Sequence, residues 1–122
     1  MGEHRQYRRL IYPFKNYFKD FKKGLKRDIL IKIYQVFMLI MTEEIVPTKF
    51  LKGIEGQKNL YEIRVEVESN IYRIFCCFDE GNLVILFNAF HKKTQKTPSN
   101  EIERALRIKQ EYFAATENEL KE

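Results

Sequence analysis

From Tyr61 to Glu68 the chain alternates without a break: Tyr61, Ile63, Val65 and Val67 are apolar, and Glu62, Arg64, Glu66 and Glu68 are charged. A period of two belongs to a β-strand with one face in a core and the other turned to polar surroundings. Turn-forming residues then punctuate two more apolar runs. Ser69-Asn70 leads into Ile71–Phe78, and Asp79-Glu80-Gly81-Asn82 leads into Leu83–Phe90. Three strands therefore meander antiparallel, and the last, apolar on both faces, suits a central position.

Before this meander the period is 3.6. Phe14, Tyr17, Phe18, Phe21 and Leu25 recur at helical spacing, with Lys15, Lys19, Lys22 and Lys23 opposite, and Gly24 closes a short amphipathic helix. From Asp28 to about Thr42 a second helix is apolar nearly all round, so the sheet and first helix cover it, or part of it receives a partner protein. Residues 5–12 form a weak strand that Pro13 ends, and residues 43–59 read as a connecting loop. Thr97 as N-cap and Pro98 at the first helical position open a terminal helix, with Ile102, Ala105, Leu106, Tyr112 and Phe113 on one face and a frayed tail after Ala115. At 122 residues this is one domain, 1–122.

Several classes are excluded. The longest apolar stretch, Ile29–Met41, is interrupted by Lys32 and Gln35 and falls short of the ~20 residues a membrane helix needs. The N-terminus lacks the apolar run of a secretory signal, so a cytoplasmic location is expected. Cys76 and Cys77 are sequence neighbours, which on a strand point to opposite faces and read as reduced packing residues. His4 and His91 stand apart from other ligand-type residues, so no metal or other cofactor is expected.

The charge is uneven. The net charge is +5, yet residues 1–41 alone hold ten Lys/Arg against three Asp/Glu. A second, acid-free run from Asn88 to Pro98 carries Lys92, Lys93 and Lys96 just before a helix N-terminus, whose free N–H groups favour anions. Both features fit a polyanion such as nucleic acid, and both equally fit solvated lysines kept for solubility. With a two-residue turn at Ser69-Asn70 and a four-residue turn at 79–82, Tyr61, Ile63, Val65, Val67, Tyr72, Ile74, Cys76, Phe78, Leu83, Ile85, Phe87 and Ala89 share the core face. Glu62, Arg64, Glu66, Arg73, Phe75, Asn88, Phe90 and Lys92 share the other. This register sets Arg73 opposite Glu66 and Asn88, with Arg64 a diagonal step away. The arginines then either pair with the glutamates or hold a phosphate.

The runs Leu60-Tyr61-Glu62-Ile63-Arg64, Tyr72-Arg73-Ile74 and Phe90-His91-Lys92-Lys93-Thr94-Gln95-Lys96-Thr97-Pro98, followed by Glu101 and Ala105, resemble the RelE/HigB family of toxins from type II toxin–antitoxin modules, especially its phage-derived HigB-like branch. The lysine–threonine string is the most specific part. The resemblance implies an α+β fold, with a small, mostly antiparallel twisted sheet, N-terminal helices packed on it and a C-terminal helix. It implies cleavage of mRNA, usually on the ribosome, and neutralisation by a cognate helix-turn-helix antitoxin. By position, Arg64, Arg73, Lys92 and Lys93 match the family's basic cluster, and Lys96 belongs to the branch's string. The chain departs from RelE where it has Glu62 in place of a basic residue, and where no tyrosine follows the cluster.

Such cleavage proceeds by attack of a ribose 2′-OH on the adjacent phosphate. Guanidiniums at Arg64 and Arg73 suit the crowded phosphorane, and Lys92 and Lys93 suit charge stabilisation and the leaving-group proton. His91 is the candidate general base, with a packed or surface histidine as the alternative, since this register puts it on the core side of its strand. Phe90 is a candidate for stacking a base, with core packing as the equal alternative, and Lys96 and Asn88 are further candidates for contact with the RNA. Two other readings stand: a non-enzymatic ParE-type toxin that binds gyrase, and an inactive RelE-like module that binds RNA or antitoxin.

Overall fold

A computed structural model describes residues 7–92 and 97–121, apart from the side chains of Lys92 and of residues 119–121. The elements in chain order are β1 (Leu10–Pro13), α1 (Tyr17–Lys22), α2 (Arg27–Thr42), β2 (Leu51–Gly53), β3 (Tyr61–Val67), β4 (Asn70–Asp79), β5 (Leu83–Lys92) and α3 (Ser99–Lys121). The sheet has five strands in the order β1-β5-β4-β3-β2, antiparallel except for β1 against β5. Helices cover both faces, giving the expected α+β architecture.

The hairpin turn between β3 and β4 falls one residue earlier than the sequence suggests. Val67 pairs with Asn70, so Glu68 and Ser69 form the turn, with Glu68 at a φ of 58°. Facing positions shift by two, which keeps every side chain on its expected face and changes its neighbours. Arg64 stands opposite Arg73, where Glu66 was expected. The next turn holds three residues, Glu80 to Asn82, because Asp79 pairs with Leu83. That single-residue change reverses the first half of β5: Val84 and Leu86 join the α1–α2 side, while Leu83, Ile85 and Phe87 pack under α3. A bulge then restores the parity. Between the pairs Ile74–Ala89 and Cys76–Leu86, Phe75 faces both Phe87 and Asn88, and beyond it Phe90 pairs with Arg73.

Two cores result. Ile33, Val36, Phe37 and Ile40 of α2, with Phe18, bury against Ile63, Val65, Tyr72, Ile74, Cys76, Val84 and Leu86. On the other face Ala105, Ile108 and Tyr112 of α3 bury against Leu60, Phe75, Cys77, Ile85, Phe87 and Phe90. Cys76 and Cys77 are unbridged and buried, one in each core. The α2 helix is not covered on all sides, since Ile31, Tyr34 and Met38 remain exposed.

Four local expectations change. β1 begins at Leu10 and includes Pro13, which costs no ladder bond. Leu10 and Phe14 donate their N–H groups to Asn82 and Leu86, so position 13 points its nitrogen away from β5. β2 lies inside the expected loop, too short and glycine-flanked to carry a period. α3 starts at Ser99, with the Pro98 carbonyl accepting from Glu101 and Ile102, so Pro98 occupies the cap position expected of Thr97. It also continues past Ala115 to Lys121.

Two expected outcomes follow from the α3 core. Phe75→Ala should lower the unfolding free energy by about 3–5 kcal/mol in urea titration, through lost burial and the cavity left behind. Tyr112 donates to Asp79 Oδ2 at 2.6 Å, and burial with that carboxylate pushes its phenol up to about 12. The unfolded chain ionises this tyrosine near ~10, so its stabilising contribution is complete below ~10 and disappears as pH rises to about 12. The stability difference between wild type and Tyr112→Phe should therefore shrink across that window and stay constant below it.

Candidate functional site

The polar patch of the second face sits where α3 begins and its apolar cover ends. Glu62 of β3 and Arg73 of β4 are buried there, at 4% and 1% exposure, with Arg73 Nη1 2.7 Å from Glu62 Oε1. Arg64 Nε lies 3.5 Å from the same oxygen, with its side chain 21% exposed. The other oxygen, Oε2, accepts from Thr97 Oγ1 at 3.0 Å. One carboxylate thus gathers two guanidiniums and ties them to the residue that precedes α3.

The strand pattern explains the placement. Glu62 and Arg64 are polar positions of the β3 alternation, and the observed register sets Arg73 of β4 directly opposite Arg64. Like charges directly opposite on a sheet repel. Glu62 offsets this, leaving a net charge of +1 from the three groups. They open into a cleft of about 480 Å³, also lined by Lys52, Glu55 and Thr97. Lys52 pairs across the strands with Glu62, so it reaches the cleft through β2, the strand without a visible sequence period. Thr97 enters by hydrogen-bonding to Glu62 rather than by capping α3.

The other sequence candidates disperse. His91 lies on the opposite face, paired with Tyr72, and its Nε2 is 2.8 Å from Asn70 Oδ1. It does not meet the arginines, because adjacent residues of a strand point to opposite sides. Phe90 shares the arginine face and is spent on packing: it is 7% exposed and stacks on Phe75 with ring centroids 5.7 Å apart. Asn88, on the bulge, is 1% exposed and donates to the Glu101 carbonyl and carboxylate at 3.3 Å, fastening β5 to α3. Lys92 ends β5, and Lys93 and Lys96 lie outside the described residues. Among the described residues, no cluster of His, Cys, Asp or Glu could hold a metal ion.

Residues 16–110 match the family described as Phage derived protein Gp49-like (DUF891). The chain belongs to this family. The matched span runs from the residue before α1 into α3 and contains Glu62, Arg64, Arg73 and Thr97. No curated protein matches the chain. No helix among the described residues is long and apolar enough to cross a membrane.

Glu62 is the residue on which this Gp49-like site turns. Glu62→Ala should cost about 3 kcal/mol in urea unfolding, because it removes the nearest anion from the buried Arg73. Glu62→Gln keeps acceptor and shape and should cost clearly less.

Proposed function

We propose that the protein is the toxin of a type II toxin–antitoxin module, an endoribonuclease that cuts mRNA without a metal, most readily on the ribosome, in the manner of the RelE/HigB family. The observation that carries this reading is the side-by-side placement of Arg64 and Arg73 around Glu62 in an open cleft. A cognate helix-turn-helix antitoxin would hold it inactive in the cytoplasm.

In this reading the scissile phosphate lies against Arg64, the more exposed guanidinium, and Arg73 adds positive charge from beneath. The 2′-hydroxyl gives up its proton to solvent water as its oxygen attacks phosphorus, the bond to the 5′-oxygen breaks as that oxygen takes up a proton, and the products are a 2′,3′-cyclic phosphate and a 5′-OH end. Glu62 holds Arg73 in place before substrate arrives, so no side chain reorganises as the phosphorane forms. Lys92, the last residue of β5, and Lys93, which follows it in the sequence, are assigned further positive charge and the proton for the leaving oxygen. Asn88 and Phe90 serve the fold of the site rather than the RNA.

The test is to induce the wild-type chain and an Arg64→Ala variant in a bacterium and map mRNA 5′ ends. New 5′-OH ends inside translated regions are expected with the wild type and should fall at least tenfold in the variant, in which the more exposed of the two arginines is truncated. Growth arrest without new ends would instead favour a gyrase-binding toxin. Neither effect would favour an inactive binding module.

A further inference from the structure

On the opposite face of the sheet, at the end where β3 turns into β4, lies a second cleft of about 360 Å³, lined among others by Lys26, Asp28, Glu68, Asn70, Tyr72 and His91. Its base is an aromatic stack. Tyr72 is buried, and the His91 ring lies over it with centroids 4.5 Å apart and planes 15° apart. His91 itself is exposed, and its Nε2 hydrogen bond to Asn70 fixes the imidazole flat with its outer face to solvent. Asp28 and Glu68 lie close enough to Tyr72 to add to the upward push that burial gives its phenol. At the rim of the cleft Lys26 stands exposed on the turn between α1 and α2, with Lys23 exposed after the end of α1 and Arg27 exposed at the first position of α2.

A flat ring with carboxylates beside it and cations at the rim selects its ligand. An acidic peptide would meet Asp28 and Glu68, and an apolar group would leave them without partners. A nucleotide satisfies all three features: the base stacks, the base edge donates, and the phosphate meets the lysines. Guanine alone among the RNA bases presents two adjacent N–H donors on its pairing edge, which match the two oxygens of a carboxylate. We propose that this cleft is a subsite for an unpaired guanine of an RNA strand, stacked on His91, with its donor edge toward Asp28 and Glu68. The inference rests on RNA being the substrate. It gives His91 a place in substrate choice, on the face of the sheet opposite the phosphate site at Arg64.

The test uses the full chain and two fluorescent 2′-O-methyl hexanucleotides, UUGUUU and UUAUUU, which resist attack by the 2′-oxygen, with affinity read by anisotropy at low salt. The wild type should bind the guanine probe about tenfold more tightly, His91→Ala should remove most of that preference, and His91→Phe should restore the stacking share of it. The Asp28→Asn/Glu68→Gln variant should lose the preference while still binding the adenine probe. The three side chains, His91, Asp28 and Glu68, are exposed, and unchanged thermal melting will confirm that each variant is folded. Equal wild-type affinity for the two probes, or a guanine affinity unmoved by His91→Ala, would overturn the subsite. Arg64→Ala separates the two ideas: it should weaken both probes alike and leave their ratio intact. If it moves neither probe while the guanine preference holds, the phosphate assignment fails and the subsite stands.

Discussion

A buried carboxylate between two arginines is the constraint on which the rest of this structure depends. Taking Arg73 to 1% exposure would be prohibitive without an anion, and Glu62, 2.7 Å away, supplies one. The same carboxylate permits Arg64 and Arg73 to face each other across the strands, and its second oxygen reaches Thr97 before α3. The pair therefore sets three things together: the register of β3 on β4, the direction from which α3 enters, and a fixed positive charge in an open cleft.

The two clefts divide the sheet end between charge and stacking. Adjacent residues of one strand serve them, because Tyr72 and Arg73 point to opposite faces, as do Phe90 and His91. The bulge at Phe87-Asn88 makes this possible. It allows the first half of β5 to fill both cores in one parity and its last residues to present side chains in the other. Without it Asn88 could not reach Glu101, and Phe90 would leave the α3 core.

Much of this was legible in the sequence. Alternation over residues 61–68 fixes β3 and the face of Arg64, and the apolar spacing after residue 28 fixes α2 almost to its ends. The face shared by Arg64 and Arg73 survives because the turn moved by two positions in register rather than one. What escaped has local causes. β2 is three residues long and depends on β3 for its existence, so Lys52 could not be placed. Turn length decides parity, and nothing in Asp79–Asn82 distinguishes three residues from four, so Leu83, Ile85 and Phe87 were expected on the wrong face. Pairing of the arginines with the strand's glutamates was one of the two sequence readings and holds at Glu62, whose burial depends on what α3 covers. A carboxylate two residues from an arginine on a strand is the signal that could have marked it.

The central claim is that the arginine face performs phosphate chemistry on RNA, and the most direct measurement is the chemistry of the cut ends. Purified protein would be added to a reconstituted translation reaction, and the cleaved mRNA analysed by mass spectrometry beside a message carrying a single 2′-deoxynucleotide 5′ to the scissile bond. The account predicts 2′,3′-cyclic phosphate and 5′-OH termini, with no cut at the deoxy position. Termini bearing a 3′-OH and a 5′-phosphate, or unchanged cutting at the deoxy position, would contradict it.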